Sequence, residues 1–365
     1  MSVDQLLQIT LAVIGLSCAL LTTVIVIVKF HRIRSSARSG ALLATYRQAL
    51  IVMASGEDED GRAKTVLDAV DASTWKLLRP NVVAFLSKVR GTVVDDLGEL
   101  LRSHGEIKRA TRMLTSRSAV RRARAAYLLG LVRDPNLATL VLPLLNDPDA
   151  DVRLVAARAL GTIGEASAAG GILHALRISR GRIGLPAFVA VEALLAMGAE
   201  IAPELDNGLT SNDAAVRNVC ALVAGYGSFF STAPKLCVLL ATPSEGDIRV
   251  SAAMALGRVG DINETAILAR HTNACEVTEL RRACVTALGD MGRREGLDTL
   301  VGLLGDGDRR LAQLAADSLV RSGTDGMARL AAAAVGQSPC ARAARSALDL
   351  AELRGQLAPS DEGVL

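Results

Sequence analysis

Aromatic side chains are scarce in this chain: among 365 residues there are one Trp, three Tyr and five Phe. Half of the composition is apolar, so any core must be packed from Ala, Leu and Val rather than from rings. The scarcity also removes the stacking partners that nucleic-acid binders set among their basic residues. Excess charge is missing as well. The chain carries 41 basic and 38 acidic residues, a net of +3. Residues 1–40 supply all of that excess through Lys29, Arg32, Arg34 and Arg38 against Asp4, which leaves 37 of each sign in the rest. A neutral body with few rings is poorly suited to a polyanion, and no nucleic-acid partner is expected.

Chemistry-bearing motifs are lacking too. There is no CxxC pair among the six cysteines, and Cys275 and Cys340 have no neighbour at a metal-ligand spacing. Cys18 lies in an apolar N-terminal run, Cys237 in another apolar stretch, and Cys220 and Cys284 in slots otherwise held by Ala. The acidic stretch Gly56-Glu57-Asp58-Glu59-Asp60-Gly61 fails as a calcium loop. Aligning Gly61 with the loop glycine puts Gly56 and Leu67 where acids are required, so a solvated turn is expected. No nucleophile, phosphate-binding or metal motif is present. The expectation is a chain without catalytic residues, metal or cofactor, and not an enzyme.

Leu6 to Val28 form an uncharged run of 23 residues, long enough as a helix to cross a hydrocarbon core of roughly 30 Å. Only Met-Ser-Val-Asp-Gln precede the run, while Lys29, Arg32, Arg34 and Arg38 follow it, the reverse of a cleavable leader. The positive-inside rule then places the N-terminus outside and the remainder in the cytoplasm. Lys29, Arg32, Arg34 and Arg38 form a collar suited to anionic lipid headgroups. Arg outnumbers Lys 35 to 6 in an Ala- and Gly-rich chain, a bias of GC-rich bacterial coding. The expected location is therefore a bacterial inner membrane, crossed once.

What the chain does have is a repeated phrase. Val152-Arg153-Leu154-Val155-Ala156-Ala157-Arg158-Ala159-Leu160-Gly161-Thr162-Ile163-Gly164 returns as Ile248 to Gly260 and as Leu280 to Gly292. Weaker copies end at Gly130, Gly198, Gly225 and Val320, with steps of 31, 37, 27, 32, 32 and 31 residues between successive ends. A period near 32 marks a stack of helix pairs. Val152, Ala156, Ala159, Leu160 and Ile163 share one helix face, with small Ala where the next helix must come close. Gly161 and Gly164 are expected to loosen and stop this first helix. A second helix should follow, as at Ala169 to Leu176 or Asp298 to Leu304. Asn146-Asp147-Pro148-Asp149 should turn the chain and cap the next first helix.

The phrase Asp-x-x-Val-Arg-x-x-Ala-Ala-x-Ala-Leu-Gly-x-Ile-Gly resembles the HEAT repeat of the short kind known from phycobilin lyases, over roughly residues 116–335. The resemblance implies an all-α, right-handed solenoid of antiparallel helix pairs, with second helices lining a concave surface that binds protein. It also implies a structural ladder of Arg122, Arg153, Arg217, Arg249 and Arg281 pairing with Asp near helix starts, interrupted at Ala190 and Ala312. Some HEAT-like enzymes hold a di-iron centre with His-Glu pairs. Here His31, His104, His174 and His271 are followed by Arg, Gly, Ala and Thr, so that centre is not expected.

The chain thus divides into an anchor (1–28), a basic juxtamembrane segment (29–40), an irregular helical cap (41–115), a solenoid with a C-terminal capping helix (116–352) and a disordered tail (353–365). Within the cap, helices are expected at 41–54, 62–70, 75–89, 93–101 and 106–114, with Pro80 as a kink and Trp75 in the core. The long step after Gly161 contains Arg177, Arg180 and Arg182 beside Gly181, Gly184 and Pro186. This loop could dock an acidic partner or lipid headgroup, though a solvated basic loop is the commoner reading of the same residues. The function these readings support is a membrane-tethered scaffold for a protein partner. A degenerate lyase-like enzyme or small-ligand-binding solenoid is the alternative, and a polar pocket on the second helices would favour it.

Overall fold

The computed structural model describes residues 22–23, 46–58, 60–177, 184–242 and 246–357. Every regular element among them is helical. The expected membrane run and the collar Lys29, Arg32, Arg34 and Arg38 lie outside the described residues. Among the described residues no helix is long and apolar enough to cross a membrane. The described residues fall into two units, divided between Arg112 and Met113.

The first unit contains a helix through residues 46–55 and the helices Arg62–Asp68, Ala72–Leu86, Thr92–Ser103 and Glu106–Met113. Asp58, in the acidic turn, accepts the Ala63 and Lys64 backbone N–H groups at 2.9 Å each and so caps the helix that follows. Pro80 does not break its helix, which runs continuously from Ala72 to Leu86. Trp75 fills the core, 4% exposed, stacked on His104 with ring centroids 3.7 Å apart. Its indole Nε1 donates to Glu106 Oε1 at 3.2 Å, and Arg79 Nη1 donates to Oε2 at 3.2 Å, so the buried carboxylate is satisfied on both oxygens.

The second unit is a run of helix pairs. Its first helices are Ala119–Val132, Ala150–Ile163, Ala187–Ala196, Ala214–Tyr226, Gly246–Val259, Thr278–Met291 and Arg309–Arg321. The second helices of the first four pairs open with a 3₁₀ turn, as in Ala166–Ala168 followed by Ala169–Ala175. Ile262–Arg270, Arg294–Leu303 and Gly323–Ala333 complete the remaining pairs, and Pro339–Leu357 closes the described chain. That last helix runs beyond residue 352 because Ala351, Glu352, Leu353 and Arg354 are good helix formers.

The repeated phrase folds as its periodicity requires. Val152, Ala156 and Leu160 are fully buried, with Ala159 and Ile163 close behind. The same five slots are buried in the copy from Ile248 to Val259. Asp149 sits in extended conformation before Ala150–Ile163 and accepts the Asp151 and Val152 N–H groups at 3.0 and 3.2 Å. Asp213 and Asp308 cap their helices in the same way. Asp149→Ala should therefore cost about 1 kcal/mol, read as a lower thermal midpoint. An unchanged midpoint would show that the cap contributes nothing.

Gly161 does not stop its helix. It lies inside Ala150–Ile163, and a Cβ built on it would meet the Ala193 backbone at 2.6 Å. Gly130, Gly225 and Gly257 make the same approach to Ala159, Ala255 and Ala287, and Gly289 to Ser318. The glycine is the crossing point of successive first helices, where only a bare Cα lets the backbones touch. Gly164, in the left-handed conformation at φ 80°, is the actual stop.

This crossing corrects the register of the third repeat. Gly161 meets Ala193, two residues before Leu195, just as Gly130 meets Ala159, two before Gly161. Leu195, and not Gly198, therefore holds the end position. The buried set Ala190, Ala193, Leu194 and Met197 agrees. Gly198 instead opens the second helix at φ 81° and ψ −158°, a region that other residues avoid. The steps become 31, 34, 30, 32, 32 and 31, and the position that lacks a ladder arginine is Ala187 rather than Ala190.

Candidate interaction surface

The ladder arginines lie on the first helices and reach toward the loops at either side. Each donates to a backbone carbonyl of the loop or helix end before it. Arg122 reaches Ser116, Arg153 reaches Asp147, Arg217 reaches Ser211, Arg249 reaches Leu240 and Arg281 reaches Thr272, all at 2.7–2.9 Å. Three also grip an acid in the following loop. Arg122 holds both Asp147 oxygens at 2.7 Å, Arg249 holds both Glu276 oxygens at 2.9 and 2.8 Å, and Arg281 Nη2 meets Asp306 Oδ2 at 2.5 Å. The second of these acids is Glu where the resemblance implies Asp. A guanidinium spanning two loops ties consecutive repeats together, and its planar fork suits the two-oxygen grip.

Around Glu276 the ladder thickens. His271 Nδ1 lies 2.7 Å from Glu276 Oε1 and 3.2 Å from Arg249 Nη2. The Arg249 hydrogen bonds first, then His271, hold the Glu276 carboxyl at about 2 against the opposing effect of burial. Cys220 and Cys284 are fully buried, and burial pushes each thiol up to about 12, far from a thiolate nucleophile. Among the described residues, no three His, Cys, Asp or Glu side chains gather as a metal site.

Of the three arginines in the long loop, Arg177 makes an ion pair with Asp213, Nε to Oδ2 at 3.4 Å. Arg180 and Arg182 lie outside the described residues. The loop's neck is closed: Leu185 N–H donates to the Ala175 carbonyl at 2.7 Å, and a Cβ on Gly184 would strike the Leu176 carbonyl.

The second helices carry exposed groups that the repeated phrase does not mark. Between the second helices of repeats 2 and 3 lies an open groove of about 440 Å³, edged by His174, Arg177, Glu204 and Asn207. In repeat 4, Phe230, Pro234 and Val238 line one helix face, with Phe230 66% and Val238 64% exposed. Ile262, 56% exposed, and Ala266 take similar places in repeat 5. Phe188, on the first helix of repeat 3, is equally exposed at 66%, so a phenylalanine alone does not mark one layer in the sequence.

Residues 107–183 match the family model described as HEAT repeats. No curated protein matches the chain by sequence. Among solved structures, a Kap121p mutant superposes with a TM-score of 0.52 at 11% identity, over 87% of this chain and 44% of that one. Human deoxyhypusine hydroxylase in complex with glycerol is similar at 19% identity, over 68% of this chain and 96% of that one, with a TM-score of 0.29. A chain of the CpcE–CpcF complex of phycocyanin lyase from Nostoc sp. PCC7120 is similar at 17% identity, over 67% and 94%, with a TM-score of 0.32. Among the described residues the fold is an all-α solenoid built on helix pairs, of which residues 107–183 match the HEAT-repeat model.

Proposed function

We propose that the protein is a non-catalytic, membrane-tethered scaffold that binds a protein partner through its second helices. The observation that carries this reading is the exposed apolar face of Phe230, Pro234 and Val238, continued by Ile262. Side chains of this kind gain most from being covered by a partner, at about 25 cal/mol per Å² of apolar area buried. The uncharged run Leu6 to Val28, followed by Lys29, Arg32, Arg34 and Arg38, supports a single-pass tether with the repeats on the cytoplasmic side of a bacterial inner membrane. Tethering raises the effective concentration near a membrane-bound partner. Arg180 and Arg182 belong to the same proposal as auxiliary contacts. Arg177 contributes less to it, being paired with Asp213.

The experiment is affinity purification of the full chain from gently solubilised membranes, beside a chain starting at Ala41, with co-purifying proteins identified by mass spectrometry. A stoichiometric membrane partner, reduced without the first forty residues, is the expected result. A clean chain with no partner would contradict it. The second reading, a small-ligand-binding solenoid related to the lyases, rests on the open groove edged by His174, Glu204 and Asn207. It gains if no protein is recovered and a small polar molecule travels with the purified chain.

A further inference from the structure

We propose that the solenoid bends at one built-in joint, between repeats 3 and 4, and that repeats 1–3 and 4–7 move as two stiffer arms. Five of the six junctions between successive first helices are locked by a backbone crossing. Gly130, Gly161, Gly225 and Gly257 each sit where an added Cβ would lie within 2.8 Å of the next helix's Ala, and Gly289 within 2.5 Å of Ser318. At the remaining junction the register puts Leu195 in the glycine's place and Val223 in the alanine's. Both positions carry branched side chains, so the bare Cα that lets the backbones touch at the other five junctions is missing here.

Helix length does not explain the difference. The first helix of repeat 3, Ala187–Ala196, has 10 residues, where its neighbours have 13 or 14. That same short helix packs more closely on the preceding first helix, through Gly161, than on the following one, through Leu195. The junction also lacks a ladder arginine, because the position is Ala187. Repeats 3 and 4 are tied elsewhere: Lys235 Nζ donates to Asp206 Oδ2 at 2.6 Å and to the Asp206 carbonyl at 2.9 Å, Arg177 at the end of repeat 2 pairs with Asp213 at the start of repeat 4 at 3.4 Å, and Gly208 packs where a Cβ would meet the Cys220 sulfur. With the first-helix layer unlocked and the second-helix layer strapped, bending opens the first-helix side around the Lys235–Asp206 strap. It changes the angle between His174 and Asn207 on one arm and the Phe230–Val238 face on the other. Rigid elements joined at a single weak interface are the usual makings of such a motion.

Spin-label distances on the full-length chain test this. In a background where Cys18, Cys237, Cys275 and Cys340 are replaced by Ala, labels at Asp151→Cys and Met254→Cys span the joint. Labels at Met254→Cys and Gln313→Cys span only locked junctions. The first pair should give a broader distance distribution than the second, and Leu195→Gly with Val223→Ala should narrow it toward the control. Equal widths for the two pairs would overturn the joint, as would a broad distribution that a folded double variant leaves unchanged. If the double variant does not fold, the comparison of the two pairs in the parent chain still decides.

Discussion

Gly257→Leu should destabilise the repeat unit by about 3 kcal/mol, the upper end of what overpacking costs in a closed interface. At position 257 the Cβ alone would lie 2.7 Å from the Ala287 Cα and 2.9 Å from its Cβ. Neither is the end of a flexible side chain, so the helices themselves must separate. Leucine's better helix propensity returns about 1 kcal/mol at most. Gly302 provides the opposite case. It lies on the exposed side of Arg294–Leu303 with nothing within 4 Å of a built Cβ, and Gly302→Ala should raise stability by about 0.5 kcal/mol. Thermal unfolding followed by circular dichroism separates the two. Equal midpoints for Gly257→Leu and the parent chain would contradict the crossing-point role.

Arg249→Met should cost about 2 kcal/mol at neutral pH, because it leaves a largely buried carboxylate with His271 alone. The same pair sets an acid limit. Glu276 is shifted from an ordinary 4.5 to about 2, first by the Arg249 hydrogen bonds, with burial opposing and His271 adding. A carboxyl whose folded value is depressed contributes stability that is fully present above its unfolded value. That contribution fades as pH falls from about 4.5 toward 2, and it amounts to roughly 3 kcal/mol. Glu276→Gln should accordingly flatten the loss of thermal midpoint between pH 5 and 2.5. Asp147 and Asp306 leave part of the slope in place, since both are also lowered: burial raises them, but their arginines and backbone donors outweigh it. A variant slope identical to that of the parent chain would show that this pair contributes little.

The helix-pair architecture was legible because its signal is apolar periodicity, and periodicity survives substitution. Val152, Ala156, Ala159, Leu160 and Ile163 mark a buried face whatever packs against it. Two things misled. Gly161 reads from sequence as a helix breaker, since propensity describes an isolated helix. In the stack its missing Cβ admits the next backbone, and that gain outweighs the propensity cost. Gly198 looked like the third repeat's end because it restores a glycine to the phrase. The position is held by Leu195, and only the contact of Gly161 with Ala193 reveals it. The second helices were less legible still. Their 3₁₀ openings, as at Phe230–Thr232, blur the helical period, and the residues that face outward carry no repeated signal. Sequence therefore drew attention to Arg177, Arg180 and Arg182, while His174, Asn207, Phe230 and Val238 emerged only once the helices were paired in space.

The central claim is that the second-helix layer binds a protein. The most direct measurement places a photo-crosslinking amino acid at Phe230 or Val238 in the full chain, with Asp317 on the first-helix layer as the comparison, and illuminates intact cells. The account expects a discrete adduct with another protein from positions 230 and 238 and none from 317. Adducts from 317 alone would put the binding surface on the opposite layer and contradict the claim.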